Sequence, residues 1–228
     1  MLFIHSYWTA PRPENYIYDA DLWYAALSIS YIHRLGHTID LYTDSLGYEI
    51  FSVLPYDNIH VVLDDLHKTI NPHIWSASKF KALEIAPLGA CHIDYDFFLK
   101  DFTFDDIEHY DMFCQSLIPD NADYRYVSRY IRKACIKDPV SLPQNIHFDF
   151  KEHILHLGIW QLTNQELKDE IIGTYFYMAE ELSKKMPEKA WDCPSHFVPN
   201  LFLEEQLVGE IAYNPKYHVH CLINVYDE

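Results

Sequence analysis

Glycine is scarce in this chain, with 6 residues in 228 and none between Ser6 and Tyr18. That argues against a glycine-rich phosphate loop after the first apolar run, and so against nucleotidyltransferases built on one. Basic residues are also few: 17 Lys and Arg stand against 34 Asp and Glu, a formal net charge of −17. Such a surface repels a phosphate backbone and anionic lipid, so no nucleic-acid partner is expected. A phosphorylated ligand would need local help, for which a bound cation is the obvious source. The five cysteines, Cys91, Cys114, Cys135, Cys193 and Cys221, form no Cys-x-x-Cys pair. They read as reduced thiols of a cytoplasmic protein. No apolar run approaches the ~20 residues of a membrane span, and the apolar start at Met1–His5 is too short for a signal peptide.

Apolar residues are plentiful, at 49% of the chain, with 18 Tyr, 13 Phe and 5 Trp. Leu2–Ser6 reads as a buried first strand. Leu22, Ala25, Ala26, Ile29 and Ile32 recur at helical spacing from Asp19, and Gly36 stops the run. Thr38–Thr43 reads as a second strand, Asn58–Leu63 as a third, Trp75–Leu88 as mostly helical and Ala90–Ile93 as a fourth strand. The acidic stretch 101–113 would pack over the sheet, and 119–150 is loop-rich. His153–Trp160 follows as a strand. Thr163-x-x-Glu166 has the form of a capping box opening a helix through Leu182. After a loop containing Trp191, Pro199-Asn200 introduces a helix over Leu201–Ile211. These elements predict one α/β domain over 1–228, a Rossmann-type, mostly parallel sheet flanked by helices. Residues 1–100 would form its ligand-binding half and 101–228 its acceptor-side half.

In such sheets ligands bind beyond the carboxyl ends of the strands. Ser6, Tyr7 and Trp8, Asp44, and Asp94 with Asp96 all fall at such ends. Asp94-x-Asp96 lies inside an apolar run, where acids are costly to bury unless paired or metal-bound. Two carboxylates suit Mn2+ or Mg2+, which complete their shells with phosphate oxygens. A haloacid-dehalogenase-type phosphatase would carry its Asp-x-Asp after the first strand, whereas this pair follows the fourth. Tyr7 and Trp8 offer rings on which a base could stack. Lys79 and Lys81 are candidate point charges for a phosphate.

The segment Ser76-Ala77-Ser78-x-x-Lys81…Gly89-Ala90-x-His92-Ile93-Asp94-Tyr95-Asp96 resembles the pattern A-S-D-x-x-R…G-G-x-Y-x-D-x-D. That pattern belongs to small GT-A glycosyltransferases of the capsular-polysaccharide and mannosyltransferase-like kind. Ser78 replaces the family's Asp and Lys81 its Arg, two positions that grip the donor sugar. The resemblance implies a GT-A-like fold and metal-dependent transfer of a sugar from a UDP- or GDP-sugar to a glycan or other hydroxyl acceptor. It implies nucleotide-sugar contacts at Asp94, Tyr95, Ser78 and Lys81, and a base or ribose contact at Asp44. His156 and Gly158 are similar to a late N-x-G strand, with His156 in place of Asn. Glu204 and Glu205 match an acidic motif that supplies a general base. Regular helical geometry turns Glu204 toward the apolar face and Glu205 away from it, while the motif's register favours Glu205. The family often adds a late His ligand, for which His218 and His220 are candidates on one strand face. The alternative is a catalytically degenerate domain of the same fold that binds a sugar or a partner.

Overall fold

The computed structural model describes residues 1–100, 109–118, 154–185 and 198–223. The expected loops over 119–150 and around Trp191, most of the acidic stretch 101–113 and the strand's expected start at His153 lie outside them. Strand β1 (Leu2–Tyr7) leads to helix α1 (Asp19–Arg34), β2 (Thr38–Thr43), α2 (Ser45–Phe51) and β3 (Asn58–Val61). Helix α3 (Ala77–Ile85) precedes β4 (Cys91–Ile93), and β5 (Met112–Ile118) precedes β6 (Ile154–Leu162). Then come α4 (Gln165–Lys185), α5 and β7 (Val219–Ile223). Helix α5 is continuous but mixed: Val198–Asn200 and Leu207–Ala212 are α-helical, and Leu201–Gln206 between them is π-helical.

The seven strands form one sheet in the order β3-β2-β1-β4-β6-β5-β7. β1 pairs in parallel with β2 and β4, β2 with β3, and β5 with β7, while β6 runs antiparallel to both neighbours. The sheet is therefore mostly parallel, as expected, with one reversed strand. Period-two alternation sends Ile4, Cys114 and Trp160 to a core shared with α3, α4 and α5. Phe3, Ile93, Phe113 and Ile159 point to the other face, where Ile29 and Ile32 of α1 cover them. Both faces are thus buried, which explains why the strands read as unbroken apolar runs. No described helix is long and apolar enough to cross a membrane.

Four local expectations need correction. Helix α2 was read as no element, and its N-cap is Asp44, whose Oδ1 accepts the Gly47 N–H at 2.8 Å. Strand β5 was also missed, because its register shifts between Cys114 and Ser116 and breaks the period of two. The capping box at Thr163 does not form. Asn164 caps α4 instead by accepting the Leu167 N–H at 3.1 Å, while the Thr163 hydroxyl donates to the Tyr110 carbonyl. Glu205 does not point away from the core; it is buried with Phe202, Leu203, Glu204 and Gln206 of the π-helical stretch.

Two histidines in the sheet are buried where a proton is costly, so acid should weaken the fold through them. His5 is fully buried, its ring bonded to the Tyr56 hydroxyl at 2.9 Å and the Ser28 hydroxyl at 3.2 Å, and burial pushes its pKa down to about 3. Burial, then Lys79 and His5, push His92 well below the ordinary range too. Above pH 6.5 neither state takes up a proton at these sites, and stability is full. As pH falls below 6.5 the unfolded chain is protonated first, so His5 costs about 1.4 kcal/mol per pH unit and His92 adds to the loss. By pH 5 the stability from His5 should have dropped by about 2 kcal/mol, His92 acts in the same direction, and the raised Asp94 carboxyl acts against both. Urea titrations at pH 7.5, 6 and 5 check this, and a His5→Gln variant should show a shallower pH slope than the parent.

Candidate active site

A cleft of about 440 Å³ opens beyond the carboxyl ends of the neighbouring strands β1 and β4. Ser6, Tyr7 and Trp8 form one wall, Ser78 and Lys79 of α3 another, and Asp94, Tyr95 and Asp96 the floor. These acids sit in a turn closed by the Phe97 N–H donating to the Asp94 carbonyl at 2.9 Å. That turn is the departure from extended geometry which lets both carboxylates reach one cleft. Asp94 is anchored from behind, since its N–H donates to the Gly158 carbonyl at 2.8 Å.

Lys79 is the electrostatic centre. Its ammonium lies 2.7 Å from Asp94 Oδ1 and 3.0 Å from Oδ2, and it also donates to Glu204 Oε1 of α5. Burial opposes its charge, yet Asp94 and Glu204 together hold its pKa above that of an ordinary lysine. Burial raises the Asp94 carboxyl to about 6, with Lys79 working against the shift and Glu204 and Asp96 adding to it. His92 closes the floor from beneath, its Nε2 2.9 Å from the Ser6 hydroxyl.

Several expected site residues stand elsewhere. Lys81 lies outside the cleft and pairs with Glu84 at 2.6 Å on the helix surface. Two positions along a helix turn a side chain by roughly 200°, so α3 can offer the cleft only one of the two lysines. Asp44 is occupied in holding the fold: besides capping α2, its Oδ2 accepts from the Thr9 N–H at 2.9 Å and the Thr9 hydroxyl at 2.6 Å. His156 is half-buried and bonded to Gln115 Oε1 at 2.6 Å. Burial lowers its pKa, Asp94 opposes that shift and Lys79 supports it. Gly158 packs closely within the protein: a Cβ there would meet Gln115 Oε1 at 2.5 Å and Phe97 at 3.2 Å, so the Gln115 side chain would have to move.

His218 and His220 do not join the acids. His220 stacks on Tyr110 at 4.6 Å, and the exposed His218 lends its backbone N–H to Asp111 at 2.8 Å. His220 is level with Phe113, Gln161 and Cys91, at the amino end of β4. Three strand spacings, roughly 14 Å, also separate β7 from β4. Among the described residues no group of three or more His, Cys, Asp or Glu is placed to hold a metal ion. The cleft side chains that could hold a cation are Asp94 and Asp96, a hard oxygen pair. That pair fits Mg2+ or Mn2+ when phosphate and water complete the shell.

Arg12 is the charged cleft residue that sequence reasoning missed. It lines the opening, donates to the Tyr95 hydroxyl at 3.2 Å and lies 3.7 Å from Asp21. Its guanidinium carbon sits 4.7 Å from the centre of the Tyr16 ring. Asp21 in turn accepts from the hydroxyls of Tyr7, Tyr16 and Tyr95. The signal available in the sequence was an arginine in a tyrosine-rich loop after the first strand. Pro72, His73 and Trp75 complete the wall next to α3.

Fold and cleft define an α/β protein with a two-acid, two-cation pocket at the strand ends. The chain belongs to the DUF6734 family, described as a family of unknown function, whose model matches residues 1–228. No curated protein matches it. Among solved structures it is similar to the apo form of mouse xyloside xylosyltransferase 1, at a TM-score of 0.42 and 12% identity, covering 97% of this chain and 84% of that one. A likeness that distant carries no argument about chemistry.

Proposed function

We propose that the protein transfers a sugar from a nucleoside diphosphate sugar, a UDP- or GDP-sugar, to an acceptor hydroxyl. The observation that carries this reading is the convergence of Asp94, Asp96, Lys79 and the Tyr7–Trp8 rings on one cleft at the ends of β1 and β4. The sequence resemblance of Ser76–Asp96 to small GT-A enzymes supports it independently.

Asp94 and Asp96 would hold Mn2+ or Mg2+, which supplies a Lewis acid for the departing diphosphate. Lys79, fixed by Glu204, presents a positive charge to a phosphate, and Arg12 presents another across the cleft. Tyr7 and Trp8 orient the base and exclude water from that end. The acceptor oxygen bonds to the anomeric carbon as the bond from that carbon to phosphate breaks. The nucleoside diphosphate leaves with the electron pair, and the acceptor's proton is released. Glu204 is better suited to positioning Lys79 than to serving as the base, because its carboxylate is buried against the ammonium.

Thermal-shift and calorimetric titration with UDP-, GDP- and CMP-sugars, with and without Mn2+, tests the reading. The diphosphate donors should bind more tightly with Mn2+, and the monophosphate CMP-sugar should show little metal dependence. No binding by any nucleotide sugar would refute it. Arg12→Ala should weaken donor binding by about tenfold, the worth of one charge-assisted contact. It should also reduce the salt dependence of binding, which titrations at two ionic strengths would reveal. The degenerate-domain alternative is favoured by one observation, the ammonium of Lys79 lying on both oxygens of Asp94. It predicts nucleotide-sugar binding with no release of nucleoside diphosphate.

A further inference from the structure

Lys79 has two carboxylate partners of unequal standing. Glu204 is deeply buried, with 7% of its side chain exposed, whereas Asp94 is 28% exposed and faces the cleft. The Glu204 tether is therefore internal, and the Asp94 tether lies where a ligand arrives. A third neighbour is available: the Trp75 ring centre is 5.6 Å from the ammonium, and Trp75 lines the cleft. An ammonium leaving Asp94 would keep Glu204 and the indole face over which it already lies.

Lys79 also lies within 3.0 Å of both Asp94 oxygens, so a cation approaching either one meets the ammonium. A divalent ion entering alone would meet a fixed positive charge on its own ligand. A diphosphate entering alone would meet Asp94 and Asp96. Entering together, the phosphates come between the two cations, and both repulsions disappear.

We propose that Lys79 is an exchangeable internal counter-ion. It neutralises Asp94 in the empty cleft and cedes it when a divalent cation and a diphosphate enter together, turning to the phosphate while keeping Glu204. Cation and nucleotide then bind with strong positive coupling, and Lys79 is the positioning residue that sets it. This rests on reading the cleft as a nucleoside diphosphate sugar site.

The test measures Mn2+ affinity by electron paramagnetic resonance, and UDP and GDP affinity by calorimetry, each alone and with the other. In the parent protein each ligand should tighten the other by about tenfold or more. Lys79→Gln should bind Mn2+ alone more tightly than the parent and lose most of the coupling. Glu204→Gln leaves the ammonium with Asp94 alone, so it should bind Mn2+ alone more weakly. Damage to the fold would weaken both variants, so shifts of opposite sign are diagnostic. If Lys79→Gln does not fold, Glu204→Gln decides by its coupling, which should rise as Mn2+ binding alone weakens and would fall with damage to the fold. Coupling that survives Lys79→Gln overturns the proposal and leaves the function intact. A parent protein that binds neither Mn2+ nor nucleotide overturns both.

Discussion

Asp94→Ala should lower sugar transfer by about a hundredfold or more, the scale of losing a principal electrostatic contact to a reacting group. It should also abolish the Mn2+ dependence of nucleotide binding. The loss should come with little damage to the fold. The turn is held by backbone bonds, Asp94 N–H to the Gly158 carbonyl and Phe97 N–H to the Asp94 carbonyl, which alanine retains. Lys79 keeps Glu204, so no buried charge is left unpaired. Asp96→Ala should cost less, because Asp96 is exposed and water can take its place at a cation. Nucleoside diphosphate release, read beside a melting curve, separates the two effects. An Asp94→Ala protein that still transfers sugar with Mn2+ dependence would show that the cation sits elsewhere.

The first hundred residues were far more legible than the rest, for physical reasons. Where a strand is buried on both faces and a helix on one, as in β1, α1 and β2, local apolar periodicity and tertiary burial coincide. Thr38–Thr43 was bounded correctly for that reason. Strand β5 carries Gln115 and Ser116 beside an irregular register, so its pattern resembles neither strand nor helix. The π-helical turn in α5 is set by tertiary packing, and a 3.6-residue wheel therefore misplaced Glu205. In the cleft, the acids were readable because carboxylates in an apolar run demand a reason. Motif spacing favoured Lys81 over Lys79, and only the face of α3 shows that Lys79 is the one in the cleft. Arg12 was hidden because its place is set by Tyr95, far away in sequence, and by Asp21 on the helix after its loop. The same limit applied to His218 and His220, whose strand proved to lie at the far edge of the sheet.

Tyr175→Ala should be among the most destabilising single changes in the described residues, costing about 3–5 kcal/mol as large aromatic truncations in cores do. Tyr175 is fully buried in α4 and stacks on Phe80 of α3, with ring centres 3.6 Å apart and planes 10° from parallel. It therefore joins the helix of the second half to the helix that carries Lys79. Its hydroxyl adds a second link, 2.7 Å from the Ser76 hydroxyl. The Ser76 N–H donates to Asn200 Oδ1 at 3.0 Å, and Asn200 Nδ2 donates to the His73 carbonyl at 2.8 Å. The segment His73–Lys79, one wall of the cleft, is thus clamped by a residue of α4 and a residue of α5. Tyr175→Phe separates packing from clamp. It keeps the stacked ring but leaves the buried Ser76 hydroxyl without this partner, at a cost of about 1–3 kcal/mol. The phenylalanine variant should keep most of the stability and still bind nucleotide more weakly, because Trp75 and Lys79 are no longer held from behind. Denaturant midpoints paired with UDP and GDP affinities for the two variants read out both effects. If Tyr175→Phe binds nucleotide as well as the parent, the clamp serves the fold alone and the wall is held in place by Asn200.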